Sequence, residues 1–99
     1  MIRHTVMFLL KKELPAGKRR LAMLQFKQEI ERLPAVIPQI RTIHVGLNIN
    51  PAEEWDICLD STFDSLEDLR TYAIHPDHVA AATALKPYVA TRGCVDYEV

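Results

Sequence analysis

Residues 2–10, Ile-Arg-His-Thr-Val-Met-Phe-Leu-Leu, form a segment that is apolar on both sides of an extended chain. Side chains alternate along a strand, so Ile2, His4, Val6, Phe8 and Leu10 share one face, and Thr5, Met7 and Leu9 share the other. A strand apolar on both faces is covered on both, and belongs inside a sheet rather than at its edge. His4 is the one ionisable residue on its inward side. The run is far too short to span a membrane, and no cleavage-like small-residue site follows it.

The remaining chain supplies neighbours and cover for that strand. After Pro15-Ala16-Gly17, apolar spacing predicts a helix over 18–33, with Ala22, Met23, Phe26, Ile30 and Leu33 in one stripe and Leu21 and Leu24 off it. Pro34 and Pro38 mark its exit. Residues 40–47 alternate as a second strand, with Ile43, Val45 and Leu47 opposite Thr42, His44 and Gly46. A polar loop leads to a third strand over 55–63, with Trp55, Ile57, Leu59, Ser61 and Phe63 on one face. Ser65 is placed to cap a second helix, with Glu67 and Asp68 in its first turn where the helix dipole favours acids. Leu66, Leu69, Tyr72 and Ala73 would face inward. Pro76 stops that helix, and a further short helix follows over 77–86 with Val79, Ala82 and Leu85 inward. Residues 93–99 alternate as a last strand.

This order, β-α-β-β-α-β with one extra helical segment, predicts an α+β ferredoxin-like subunit. Its four-stranded antiparallel sheet would carry helices on one face. The helix-free face is expected to hold Met7, Leu9, Ile43, Val45 and Cys58. A monomer rarely leaves such an apolar surface wet, so a homodimer packed through it is expected. Strand order 4-1-3-2 would put the first strand between those of Cys58 and Cys94. That separates the two cysteines by about 10 Å, beyond the reach of a disulfide.

Ninety-nine residues predict one domain over 1–99, with 48% apolar and 25% charged residues. Twelve basic against thirteen acidic side chains leave a net charge of −1, which gives no case for nucleic acid or an anionic membrane as partner. Lys11, Lys12, Lys18, Arg19 and Arg20 cluster, but as a solvated face. Two cysteines at this spacing make neither a secreted disulfide framework nor a zinc motif, which points to a cytoplasmic protein with reduced thiols.

One stretch stands apart chemically. Tyr72-Ala73-Ile74-His75-Pro76-Asp77-His78 gathers two imidazoles, a carboxylate and a phenol within seven residues. Imidazole changes charge near neutral pH, so such a cluster can move protons. Pro76 keeps His75 and His78 off one regular helical face. A metal site from His4, His75, Asp77 and His78 is awkward for that reason, and no metal is expected. His75 and Asp77 have no assigned role beyond capping or surface positions.

The opening Met-Ile-Arg-His-Thr-Val-Met-Phe, the Phe63-Asp64-Ser65-Leu66-Glu67 turn, the His75-Pro76-Asp77-His78 segment and the closing Val95-Asp96-Tyr97-Glu98-Val99 together resemble the stress-responsive dimeric α/β-barrel family, Dabb. The resemblance covers essentially the whole chain and implies a barrel built from two ferredoxin-like subunits. Some plant members of the family are polyketide cyclases, which close a poly-β-keto thioester by intramolecular aldol chemistry. A helix tyrosine and the second histidine of His-Pro-x-His carry that reaction, and they match Tyr72 and His78. A first-strand histidine matches His4. A further pocket histidine of those cyclases falls at Ile57, so the substrate should differ.

The resemblance thus implies a pocket between the sheet and the helices around 66–89, taking a small hydrophobic carbonyl compound without a cofactor. His78 would be the base and Tyr72 the donor, with His4 on the floor and Ile57 beside it. Leu59, Phe63, Leu69, Val79, Leu85 and Tyr88 would form the walls. Cofactor-free monooxygenation is a related barrel chemistry that uses the same residue types. The other reading is a non-catalytic stress-responsive dimer. An open cavity touching both Tyr72 and His78 would favour the first, and a filled core the second.

Overall fold

The computed structural model describes residues 1–99. Its strands are β1 (Ile2–Leu10), β2 (Thr42–Leu47), β3 (Ile57–Phe63) and β4 (Val89–Glu98), and its α-helices are α1 (Ala16–Glu31), α2 (Leu66–Ile74) and α3 (Pro76–Leu85). They form one antiparallel sheet in the order β2-β3-β1-β4. β1 is therefore interior, hydrogen-bonded to β3 on one side and β4 on the other. This is the ferredoxin-like arrangement. No helix is long and apolar enough to cross a membrane.

The elements begin and end for local reasons. α1 starts two residues before expectation, because Pro15 sits in extended geometry just ahead of it and Ala16 follows without steric cost. It stops at Glu31, and Leu33–Ala35 continue as a single 3-10 turn with Pro34 at its start. The Ser65 side chain accepts the Asp68 N–H at 3.1 Å and caps α2. β4 starts at Val89, four residues before the expected Gly93, since the chain pairs with β1 as soon as the 3-10 turn at Lys86–Tyr88 ends.

Cross-strand partners share a face, so the register sorts the sheet. Val6 lies beside Leu59 and Cys94, and His4 beside Ser61 and Asp96. These face the helices. Val6, Leu10, Val45, Ile57, Leu59 and Phe63 bury there against Phe26, Ile30, Leu69, Tyr72 and Leu85.

Three sequence expectations change. Ile43 and Val45, expected on the helix-free face, pair with Ser61 and Leu59 and lie on the helix side, where Val45 is fully buried. Alternation separates the two sets of β2 residues but cannot say which set meets the helices; the pairing with β3 decides it. Trp55, expected inward, precedes β3 and reaches towards Gly93, whose Cβ position is 3.7 Å from the indole, on the Met7 side of the sheet. Leu66, expected inward, is 60% exposed because it opens α2 just past the cap. The helix-free face thus carries Met7, Leu9 and Cys58, flanked by Val95 and Tyr97. Cys58 pairs with Met7 and Cys94 with Val6, so the cysteines occupy opposite faces with β1 between them, and both are free.

The strand edge at β2 is covered from within. Lys27 Nζ donates to the Val45 carbonyl at 2.6 Å, and the Glu31 carboxylate accepts the Val45 N–H at 3.0 Å. The two side chains also pair with each other at 2.8 Å. One turn of α1 thereby occupies the backbone groups that an edge strand would otherwise offer to another chain.

The position of Val45 gives a direct test. Val45→Asp places an unpaired charge in the core and should cost about 3–5 kcal/mol of stability in urea unfolding. A near-neutral change would put Val45 on the opposite face.

Candidate functional site

The break at Pro76 builds the site. His75 is the last residue of α2's capping turn and the N-cap of α3: its N–H reaches the Tyr72 carbonyl at 3.1 Å, and its Nδ1 accepts the Asp77 N–H at 3.1 Å. In an unbroken helix the Asp77 N–H would bind the Ala73 carbonyl. Diverted to His75, it leaves that carbonyl open, and His78 Nδ1 takes it at 2.9 Å. A carbonyl oxygen only accepts, so Nδ1 carries the hydrogen and Nε2 keeps its lone pair. The bond selects the tautomer of the neutral ring, with Nε2 as its basic nitrogen. Burial lowers its pKa, and nearby His4 and Arg92 add to that, against the opposing hydrogen bond to Ala73.

Tyr72 stands next to it on the last turn of α2. The two rings are 4.3 Å apart, Phe63 packs on the phenol at 5.1 Å, and His4 meets it edge-on at 6.2 Å. The side chain is fully buried, and its hydroxyl has no hydrogen-bond partner. Burial pushes its pKa far above the ordinary phenol value, with Arg92 pulling weakly the other way. The hydroxyl therefore stays protonated at any physiological pH. A protonated donor and an unprotonated base lie ring to ring.

Both border a cavity of about 540 Å3 between the sheet and α2–α3. Its floor is His4, Val6, Phe8 and Leu59. Ala73, His78, Ala82 and Leu85 form the helix side, Phe26 closes the back, and Lys86 and Arg92 place two cations on its wall. A mostly apolar cavity with a few convergent polar groups is the usual form of a small-molecule site. At its margin His4 Nδ1 meets Asp96 Oδ1 at 2.5 Å, with Cys94 Sγ 3.6 Å from both.

The sequence-predicted residues divide. His4, Leu59, Tyr72, His78 and Leu85 line this cavity. Ile57 is buried on the same sheet face, beside the cavity residue Phe8, but does not itself border the cavity. Phe63 and Leu69 support Tyr72 from the core without bordering the space. Val79, expected as a wall, is 46% exposed: α3 turns His78 and Ala82 to the cavity and Ala81 and Leu85 to the core, which leaves Val79 outward. Tyr88 lines a separate groove between α1 and α3. Sequence reasoning missed Lys86, Arg92, Cys94 and Asp96 as site residues. For β4 the signal was available, since Arg92, Cys94 and Asp96 alternate and share a face once the strand is extended back to Val89.

Residues 2–99 match the family described as Stress responsive A/B Barrel Domain, Dabb. Among solved structures, a dimeric protein of ferredoxin-like fold from Bacteroides fragilis is 48% identical, covering 99% of this chain and 95% of that one, with a TM-score of 0.98. A dimeric ferredoxin-like protein from Thermobifida fusca is 25% identical, covering 99% and 90%, with a TM-score of 0.80. A hydroxynitrile lyase from Passiflora edulis shares the fold at 18% identity, 99% and 92% coverage and a TM-score of 0.74. No curated protein matches the chain.

Two measurements test this geometry. Tyr72→Phe removes a buried hydroxyl that has no partner and should raise the stability of the free protein by about 1–3 kcal/mol in urea; a loss of stability would mean the hydroxyl is bonded. His78 binds a proton less readily folded than unfolded, so it favours the unfolded state as pH falls. Relative to His78→Asn, the wild type should lose stability from its unfolded pKa near about 6.5 downwards, levelling off below the lowered folded value. Parallel pH curves for the two proteins would refute the shift.

Proposed function

This chain belongs to the stress responsive A/B barrel (Dabb) family, and on that premise we propose that it binds a small hydrophobic carbonyl compound and transforms it by proton transfer. The observation that carries the reading is the open cavity touching both Tyr72 and His78. His78 Nε2 removes the proton from the carbon beside the carbonyl. The electron pair moves onto the carbonyl oxygen, and the Tyr72 hydroxyl donates to that oxygen as it becomes an enolate. The lowered pKa of His78 then favours return of the proton to product. This is the chemistry of an aldol-type, polyketide-cyclase-like reaction, and no step of it calls on a cofactor. Arg92 and Lys86 favour a ligand that carries negative charge at one end. Buried Ile57 offers no polar contact where those cyclases have a histidine, which favours a different substrate from theirs.

The contact between the Tyr72 and His78 rings also suits a second reading, in which the pair is packing in a non-catalytic dimer. A thermal-shift screen of β-diketones and aromatic acids against wild type, His78→Ala and Tyr72→Phe separates the two. The catalytic reading expects compounds that protect only the wild type. For a protected diketone, it also expects His78→Ala to slow the enzyme-dependent exchange of its acidic carbon-bound hydrogen with deuterated water by about 100-fold or more. Equal protection of all three proteins would remove Tyr72 and His78 from the site.

The protein acts as a homodimer packed through the helix-free face, where the half-buried Met7, Leu9 and Cys58 are the central apolar residues. The relative at 48% identity is dimeric, which supports a dimer; the choice of face rests on these apolar residues. Met7→Asp puts an unpaired charge at the centre of that contact. It should give monomers by light scattering at low micromolar protein, and a fully dimeric variant would exclude this face.

A further inference from the structure

We propose that His4, Cys94 and Asp96 form a zinc site at the margin of the cavity. No zinc spacing is visible in the sequence because the ligands lie at opposite ends of the chain. The β1–β4 register brings them together, with His4 opposite Asp96 and Val6 opposite Cys94. Their donor atoms all lie within 4.8 Å of one another.

The distances fit a tetrahedral ion. Zinc bonds of about 2.1 Å to nitrogen or oxygen and about 2.3 Å to sulfur set the sulfur about 3.6 Å from each of the other donors. Cys94 Sγ is 3.6 Å from His4 Nδ1 and 3.6 Å from Asp96 Oδ1. Only the His4–Asp96 separation, 2.5 Å across a hydrogen bond, has to widen, by roughly 0.9 Å for tetrahedral geometry. Asp96 is exposed on the edge strand and free to rotate that far.

A nucleophilic relay does not explain the same atoms. Such a relay needs the cysteine and the acid on different nitrogens of the ring, whereas Cys94 and Asp96 both approach Nδ1. A bound cation holds the Cys94 sulfur as thiolate. On binding, the Cys94 thiol proton leaves to solvent, and His4 gives up the Nδ1 hydrogen it shares with Asp96, so that the neutral ring carries its one hydrogen on Nε2 and offers the Nδ1 lone pair to the ion. Thiolate and carboxylate then balance the two charges of zinc beside a neutral imidazole. Three protein ligands leave one position for water or an oxygen donor. Because His4 also lines the cavity, the ion would adjoin it. The site stands without the acid–base reading, and its test does not use turnover.

The test is titration of untagged, chelator-treated protein with zinc and with cobalt(II) as its spectroscopic stand-in. The expected result is one ion per chain, with visible bands of tetrahedral cobalt and a near-ultraviolet thiolate-to-cobalt band. Cys94→Ser should abolish the thiolate band, and Asp96→Asn should weaken zinc binding by at least about tenfold, measured against a chromophoric chelator. Cys58→Ser should change neither. Circular dichroism checks that each variant keeps the fold, which exposed edge-strand substitutions should permit. Absence of binding, an octahedral spectrum, a thiolate band that survives in Cys94→Ser, or one lost in Cys58→Ser would each overturn the assignment.

Discussion

The structure depends on one strand being paired on both sides. β1 bonds to β3 and β4 along nearly its whole length, so its two faces define the two faces of the subunit. His4, Val6 and Leu10 point to the helices and root the core and the cavity. Thr5, Met7 and Leu9 point the other way and remain only half covered within one chain. A polar substitution on the first side acts on folding, while one on the second acts on association. The same alternation therefore divides stability from assembly, residue by residue.

Much of this was legible beforehand, because it rests on signals a sequence carries locally. The double-sided apolar run from Ile2 to Leu10, the Ser65 cap and the stop at Pro76 each act through neighbouring residues. What failed required long-range pairing. The side of the sheet that receives Val45 depends on its register with Leu59, and alternation within β2 is silent on that. Val79 fails for a related reason: a helix nearly apolar all round gives no stripe from which to read its buried face, and the packing of Ala81 and Leu85 chooses it. His4, Cys94 and Asp96 converge only through β1–β4 pairing, so no spacing motif could have announced them.

The Tyr72–His78 pair shows how a local rule and a tertiary contact combine. Sequence identifies both residues and predicts that Pro76 separates the two helices. It does not predict that His75 takes the Asp77 N–H and thereby frees the Ala73 carbonyl for His78. His75, without a role in the sequence reading, becomes a positioning residue: it sets which nitrogen of His78 bears the hydrogen. The effect needs His75 Nδ1 to act as acceptor, so it requires His75 itself to be neutral.

The balance of stability around this pair points the same way as its geometry. Buried polar groups in a folded protein normally find partners, and leaving one unpaired costs free energy. Tyr72 keeps an unpaired hydroxyl although phenylalanine would fill nearly the same volume without that cost. His78 is held in an environment that resists its protonation. Neither feature stabilises the free chain, yet both residues line the same cavity. Packing alone would favour the cheaper side chains. A donor kept protonated and a base that resists protonation are, by contrast, the two groups that the proposed removal of a carbon-bound proton requires, so that proposal gives both costs one physical reason.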